Sequence, residues 1–180
     1  MSAPLDELLA LFESDLATAM YDEVVTEREH ALQAAQLAEA AGATEATVAA
    51  ALLHDVGRLL IEVDSTFVAA DRAHDRVGER YLQQWFGPEV TAPVGLHVAA
   101  KRYLCGNEPD YLGRLSPVSV RSLAVQGGPM NEAESATFRA REGWEAAVQL
   151  RRWDDGAKLR DHPTKTVADY RPMLERLVRH

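Results

Sequence analysis

In the stretch Ala49-Ala50-Ala51-Leu52-Leu53-His54-Asp55-Val56-Gly57-Arg58-Leu59-Leu60, a run of small apolar residues ends in a histidine beside an aspartate. Consecutive side chains on a helix diverge by roughly 100°. His54 and Asp55 therefore share a target only if one compact object lies between their directions. A metal ion is the natural candidate, because neutral imidazole and carboxylate both ligate divalent transition metals. For an isolated His-Asp pair, a hydrogen-bonded core histidine beside a polar neighbour would be the better reading, so the other histidines decide the matter.

Six histidines occur in the chain. His162 lies in a Pro-flanked turn and His180 is the last residue, whereas His30, His54, His74 and His97 each fall in a separate predicted helix. Taken singly, any of the four reads equally well as an ordinary, partly buried histidine. Together with Asp55 and the late Asp154, they favour a metal site in the core of a helical bundle, since such bundles build sites from side chains on facing helices.

The helices come from apolar periodicity and its punctuation. Leu5, Leu8, Leu9, Phe12, Leu16 and Ala19 predict a first helix over residues 4–20, and residues 21–26 read as a loop. Thr26 with Glu29 forms a capping-box pattern, which opens a helix that carries His30 and stops at Gly42. Thr44 opens a third helix that carries His54 and Asp55 toward its end. Residues 61–70 read as a loop or short helix. A helix from near Asp71 follows, with His74 and a stripe of Val77, Tyr81, Leu82, Trp85 and Phe86, ended by Gly87-Pro88. Pro93 is expected to start the helix of His97 and Lys101, and residues 105–117 to form a loop. Ser116 or Ser119 begins a short helix through Leu123, residues 126–129 form a further loop, and helices are expected over 131–139, 144–158 and 167–178.

Composition bounds the function. The 180 residues, 47% of them hydrophobic, suffice for one domain over residues 1–180, with a metal-binding core over about 21–158. Abundant Ala and Leu with modest Gly, Pro and aromatic content point to an all-α fold. The excess of 28 acidic over 19 basic residues argues against nucleic acid as a partner. Without a visible signal peptide or bilayer-spanning apolar run, a cytoplasmic protein with no membrane partner is expected. Cys105 stands alone, so no internal disulfide forms.

The order His30, His54-Asp55, Asp154 resembles the metal-binding signature of the HD-domain superfamily, an α-helical bundle, and His74 and His97 resemble the extra ligands of its two-metal members. The blocks Glu29-His30-Ala31-Leu32-Gln33, Leu53-His54-Asp55-Val56-Gly57, His74-Asp75-Arg76-Val77-Gly78 and Leu150-Arg151-Arg152-Trp153-Asp154-Asp155 are more specifically similar to the PhnZ-type mixed-valent di-iron oxygenases of organophosphonate breakdown. So are residues 95–104 and 119–130. The resemblance implies one iron held by His30, His54, Asp55 and Asp154, and a second by His74 and His97, with Asp55 bridging. It implies an Fe(II)/Fe(III) pair that activates O2, the cosubstrate, and oxidative cleavage of the carbon-phosphorus bond of a 1-hydroxyphosphonate to phosphate and a carboxylic acid. The small-molecule phosphonate would be contacted by Lys101, Ser119 and Arg151, which supply the charge and donors that a dianion needs out of water.

Tyr21 and Glu23 match a loop that approaches the iron and the substrate's amino end, although Tyr21 stands one position closer to the glutamate than the family's spacing. A larger departure is Arg58, where the family carries a second histidine four residues after that of the His-Asp pair. Helical spacing keeps Arg58 on the His54 face, where arginine can bind a phosphonate oxygen but is longer and permanently charged. Two other readings share the ligand order. One is an HD-domain phosphohydrolase acting on a nucleotide or small phosphoester through redox-inert metals that activate water. The other is a helical interaction domain whose metals serve folding, in which Lys101 and Arg151 would have no reason to face the metals.

Overall fold

The computed structural model of the chain describes residues 3–20, 24–61 and 67–179, and the described residues fold as an all-helical bundle. Helices α1 (Ala3–Leu11) and α2 (Asp15–Thr18) replace the single helix expected over 4–20. Ser14 divides them. Its hydroxyl donates to Leu11 O at 2.6 Å and accepts from Ala17 N, so one side chain closes the first helix and opens the second. Helix α3 (Glu27–Ala40) has the expected capping box of Thr26 and Glu29, and Gly42 follows it at φ +70, a left-handed conformation that suits glycine.

The third predicted helix is in fact two. After α4 (Glu45–Leu53), capped by Thr44, the chain leaves the helix at His54 and Asp55 and resumes as α5 (Val56–Leu60). Asp55 adopts φ −99, ψ 11 at the N-cap of α5, yet its carboxylate makes no capping bond. That is unusual for a residue so well suited to capping, and the reason lies in the imidazoles it faces.

Helix α6 (Phe67–Leu82) begins before Asp71 and ends before Trp85 and Phe86, and α7 (Pro88–Asn107) begins at Pro88 rather than Pro93. Both prolines suit a helix start. Gly87 at the N-cap selects the earlier one, and Pro93 lies inside the helix, which consequently runs through the first part of the expected loop. A 3-10 turn at Leu112–Arg114 leads to α8 (Pro117–Val125), whose cap is Ser116. Then come α9 (Glu132–Arg139), α10 (Trp144–Gly156), a 3-10 turn at Val167–Tyr170 and α11 (Arg171–Leu177). The expected C-terminal helix is thus split.

Two apolar clusters flank the centre of the bundle. The larger joins Leu8 of α1 and Phe12 just after it to the alanine-rich faces of α3 and α4, to Leu82, Phe86 and Val94, and to Leu174 of α11. The smaller gathers Leu96, Ala100, Leu104, Met130, Phe138 and Val148. Small residues on α3 and α4 let backbones approach closely, and the closest approach joins α5 to α6. A Cβ at Gly57 would lie 1.9 Å from His74 O, so only glycine lets α6 bring His74 beside Asp55. No helix among the described residues is long and apolar enough to cross a membrane.

Candidate metal centre

His30, His54, His74 and His97 converge with Asp55 and Asp154, and none is more than 6% exposed. His30 Nε2 lies 3.2 Å from His54 Nε2 and 3.3 Å from Asp154 Oδ1. His74 Nε2 lies 3.0 Å from His97 Nε2. Two groups result, His30, His54 and Asp154 in one and Asp55, His74 and His97 in the other, each with ligand atoms close enough to hold a metal ion.

Hydrogen bonds on the far side of the rings fix what the near side offers. His30 Nδ1 is 2.9 Å from Ala157 O, His54 Nδ1 is 2.8 Å from Ala51 O, and His97 Nδ1 is 2.7 Å from Val94 O. A carbonyl only accepts, so each Nδ1 donates its hydrogen outward and each ring turns Nε2 into the centre. His30 and His54 thus set Nε2 against Nε2 across 3.2 Å. Such a contact needs a proton or a metal cation between the rings.

Asp55 completes the case. Both its oxygens are buried without a hydrogen bond, a state that is unfavourable for a carboxylate. Oδ2 lies 3.4 Å from His54 Nε2 and 3.9 Å from His30 Nε2, while Oδ1 lies 3.3 Å from His74 Nε2 and 3.5 Å from His97 Nε2. One oxygen is therefore directed at each histidine pair.

The surrounding charge keeps both aspartates ionised. Burial alone would raise them, but His54 and Arg58 hold the Asp55 carboxyl well below the usual range, and Arg151, His30 and His54 do the same for Asp154. At His54, burial pulls the imidazole down and is outweighed by Asp55 and Asp154, which bring it up to about 9. His74 is lowered by burial and by the charge of Arg58.

An enclosed chamber adjoins the centre. Its wall includes Asp55, His74, His97 and Asp154 together with Lys101, Ser119, Arg151 and Arg58, the four positions singled out in the sequence that the structure describes. Arg58 Nε stands 3.5 Å from Asp55 Oδ2, so the residue faces the site even though the helix breaks between it and His54. Arg151 is buried and donates to Asp154 Oδ2 at 2.7 Å and to Asp155, which also accepts from Tyr111. Tyr21 and Glu23 lie outside the described residues. An open cleft of about 480 Å³ meets the chamber at Val98 and Gln126.

Sequence reading missed three polar residues. Ser122 and Gln126 line the chamber, and their spacing of three and seven from Ser119 was the available signal. Glu27, one helical turn before His30, has a buried, unpartnered Oε2. Burial and the nearby Asp55 push its carboxyl up to about 8.

Comparison with known proteins agrees with this geometry. The HD domain family matches residues 28–108. A hydroxymethylphosphonate dioxygenase of Gimesia maris is 43% identical, over 98% of this chain and 90% of that protein. A [1-hydroxy-2-(trimethylamino)ethyl]phosphonate dioxygenase (glycine-betaine-forming) of Leisingera caerulea is 40% identical, over 87% of this chain and 81% of that protein. Since the HD match takes in His30, the His54-Asp55 pair, His74 and His97, and the likeness to the Gimesia enzyme runs almost end to end, the chain belongs to the HD-domain family, in one group with these phosphonate dioxygenases.

Proposed function

We propose that the protein is an O2-dependent di-iron dioxygenase. Its reaction is cleavage of the carbon-phosphorus bond of a 1-hydroxy-2-(substituted amino)ethylphosphonate, giving phosphate and a glycine-type carboxylic acid. The observation that carries this reading is the pairing of two sets of two histidines and one carboxylate around a single aspartate. That donor set is characteristic of non-haem iron oxygenases, and the two relatives at 43% and 40% identity are named dioxygenases. One iron is assigned to His30, His54, Asp55 and Asp154, the other to Asp55, His74 and His97. The iron pair, Fe(II)/Fe(III), supplies the activation of O2.

The chain's own residues bind and orient the substrate. Lys101, Ser119, Arg151 and Arg58 offer cations and a hydroxyl on the chamber wall to a phosphonate dianion, each charge-assisted contact contributing about 1.5 to 3 kcal/mol. Glu23 and Tyr21 are assigned to the amino end. The reaction balances with O2 as the cosubstrate and no added reductant: one O2 supplies one oxygen atom to the carboxylic acid and one to the phosphate, while the carbon-phosphorus bond breaks.

The test is phosphate release by protein purified without oxygen, with its metals measured, from hydroxymethylphosphonate and from 1-hydroxy-2-aminoethylphosphonates with and without N-methyl groups. Turnover should require O2 and no added reductant. Equal turnover under strict anaerobiosis would move the protein to the phosphohydrolases, and preference for hydroxymethylphosphonate would remove the amino-end assignment.

A further inference from the structure

Lys158 lies two residues past the end of α10, yet the short segment to which it belongs is held more tightly than its position suggests. Ala157 O accepts from the Nδ1 of His30, and Gln33, buried on α3, grips Leu159 with both ends of its amide: Nε2 donates to Leu159 O and Oε1 accepts from Leu159 N, each at 2.9 Å. The residues on either side of Lys158 are thus fastened to α3. The Lys158 side chain reaches the other way, to the start of α8, where Nζ lies 3.2 Å from Ser116 Oγ and 3.3 Å from Ser119 Oγ.

An ammonium only donates, so both serine oxygens accept from it. Ser116 Oγ also lies 3.2 Å from Ser119 Oγ as a donor. With two donors on its oxygen, Ser119 has its own hydroxyl hydrogen left to give, and Ser119 is a wall of the chamber. The helix geometry adds a second sign. Ser119 lies in the first turn of α8, whose N-terminus is the positive end of the helix dipole, a place where a cation is disfavoured and an anion favoured. An anion in the chamber beside Ser119 would be favoured by both the helix terminus and the lysine.

We propose that Lys158 is a positioning residue for the phosphonate end of the site, acting through Ser119: it sets the serine hydroxyl as a donor toward the oxyanion. The inference rests on the reading of the chamber as a phosphonate site. Because His30 and Lys158 are tied through the same segment, a merely structural role would instead disturb the metals.

The test compares Lys158→Met, Lys158→Arg, Ser119→Ala and the Lys158→Met/Ser119→Ala double variant as iron-loaded proteins. Lys158→Met should raise the KM for the hydroxyphosphonate and the dissociation constant of inorganic phosphate together by about tenfold, the size of one charge-assisted hydrogen bond. Iron content should be intact, and Lys158→Arg should restore most of the loss. In the Ser119→Ala background the Met substitution should add little. An unchanged KM, a fall in iron content alongside the loss, or full additivity with Ser119→Ala would each overturn the proposal. Calorimetric binding of inorganic phosphate separates it from the functional reading: Lys158-dependent binding in a protein that turns over no hydroxyphosphonate would sink the dioxygenase reading and keep the anion site.

Discussion

Replacing Arg58 tests the side chain at which this chain departs from the oxygenases it resembles. Arg58 Nε lies 3.5 Å from Asp55 Oδ2, with the arginine side chain 22% exposed and on the chamber wall. Two unit charges at that separation attract by about 5 kcal/mol at an effective dielectric near 20, an upper figure that partial exposure reduces. On the proposed function, Asp55 would hold metal and the guanidinium, which lines the chamber, would also contact the phosphonate. One charge-assisted hydrogen bond contributes about 1.5 to 3 kcal/mol, so Arg58→Ala should raise the apparent KM by roughly ten- to 150-fold. Metal content should stay at the wild-type level, because arginine offers no ligand atom. Arg58→His should recover part of the affinity and raise kcat if the longer side chain holds the phosphonate away from the second iron. Initial rates of phosphate release under O2, with metal analysis of each variant, measure both quantities. A KM within twofold of wild type in Arg58→Ala with full metal content would refute the reasoning.

Asp55→Ala should lower affinity at both metal positions by more than about a hundredfold, whereas His74→Ala or His97→Ala should empty mainly the second; an Asp55→Ala protein with two tightly bound metals would remove the bridge. Gly57→Ala should destabilise the fold by about 3 kcal/mol, the overpacking range, because its Cβ would meet His74 O at 1.9 Å; chemical denaturation reads this directly, and a neutral effect would mean that α5 and α6 part freely. Glu27 sets a pH dependence in the metal-free protein. Its folded pKa is raised from 4.5 to about 8 by burial and Asp55, so between those values the folded state holds a proton that the unfolded chain has lost, and stability falls as pH rises, by at most roughly 1.4 kcal/mol per pH unit. Glu27→Gln should flatten that slope in urea titrations at several pH values across the window. The same slope in both proteins would show that Glu27 does not carry it.

The ligands were legible because each lies in or beside a helix with ordinary signals around it: the capping box of Thr26 and Glu29 placed His30 one turn into α3, and the Thr44 cap set the start of the helix that leads to His54. The break at His54 and Asp55 was not legible. Residues 49–60 contain no proline and a single glycine, and local propensity carries a helix through them. What interrupts the helix is tertiary. His54 is drawn to the His30 side and Asp55 must present an oxygen to each histidine pair, which the roughly 100° step of a continuous helix does not permit. The start of α7 was misplaced because Pro88 and Pro93 both qualify locally, and Ser14 was read through because it lies inside an otherwise helical apolar stripe. Lys158 and Gln33 were invisible for a different reason: Gln33 meets its partner Leu159 across 126 residues of sequence.

The two histidine pairs also differ in what supports them, and the difference assigns their work. In the first group both rings are braced by backbone carbonyls, and Asp154 is clamped by Arg151 at 2.7 Å. In the second only His97 is braced, while the Nδ1 of His74 is buried with no hydrogen bond. The chamber wall contains all of His74, His97 and Asp55, and of the first group Asp154 but neither His30 nor His54. A metal in the first group would therefore be held rigidly, its ligand orientation fixed by the outer bonds, and would meet the chamber only on the Asp154 side. One in the second would have fewer protein ligands, a less constrained imidazole and open space on the side where Lys101, Ser119 and Arg151 stand. Open coordination next to an anion pocket is where a substrate and O2 can meet. On the function proposed above, that place would be the His74–His97 side of Asp55.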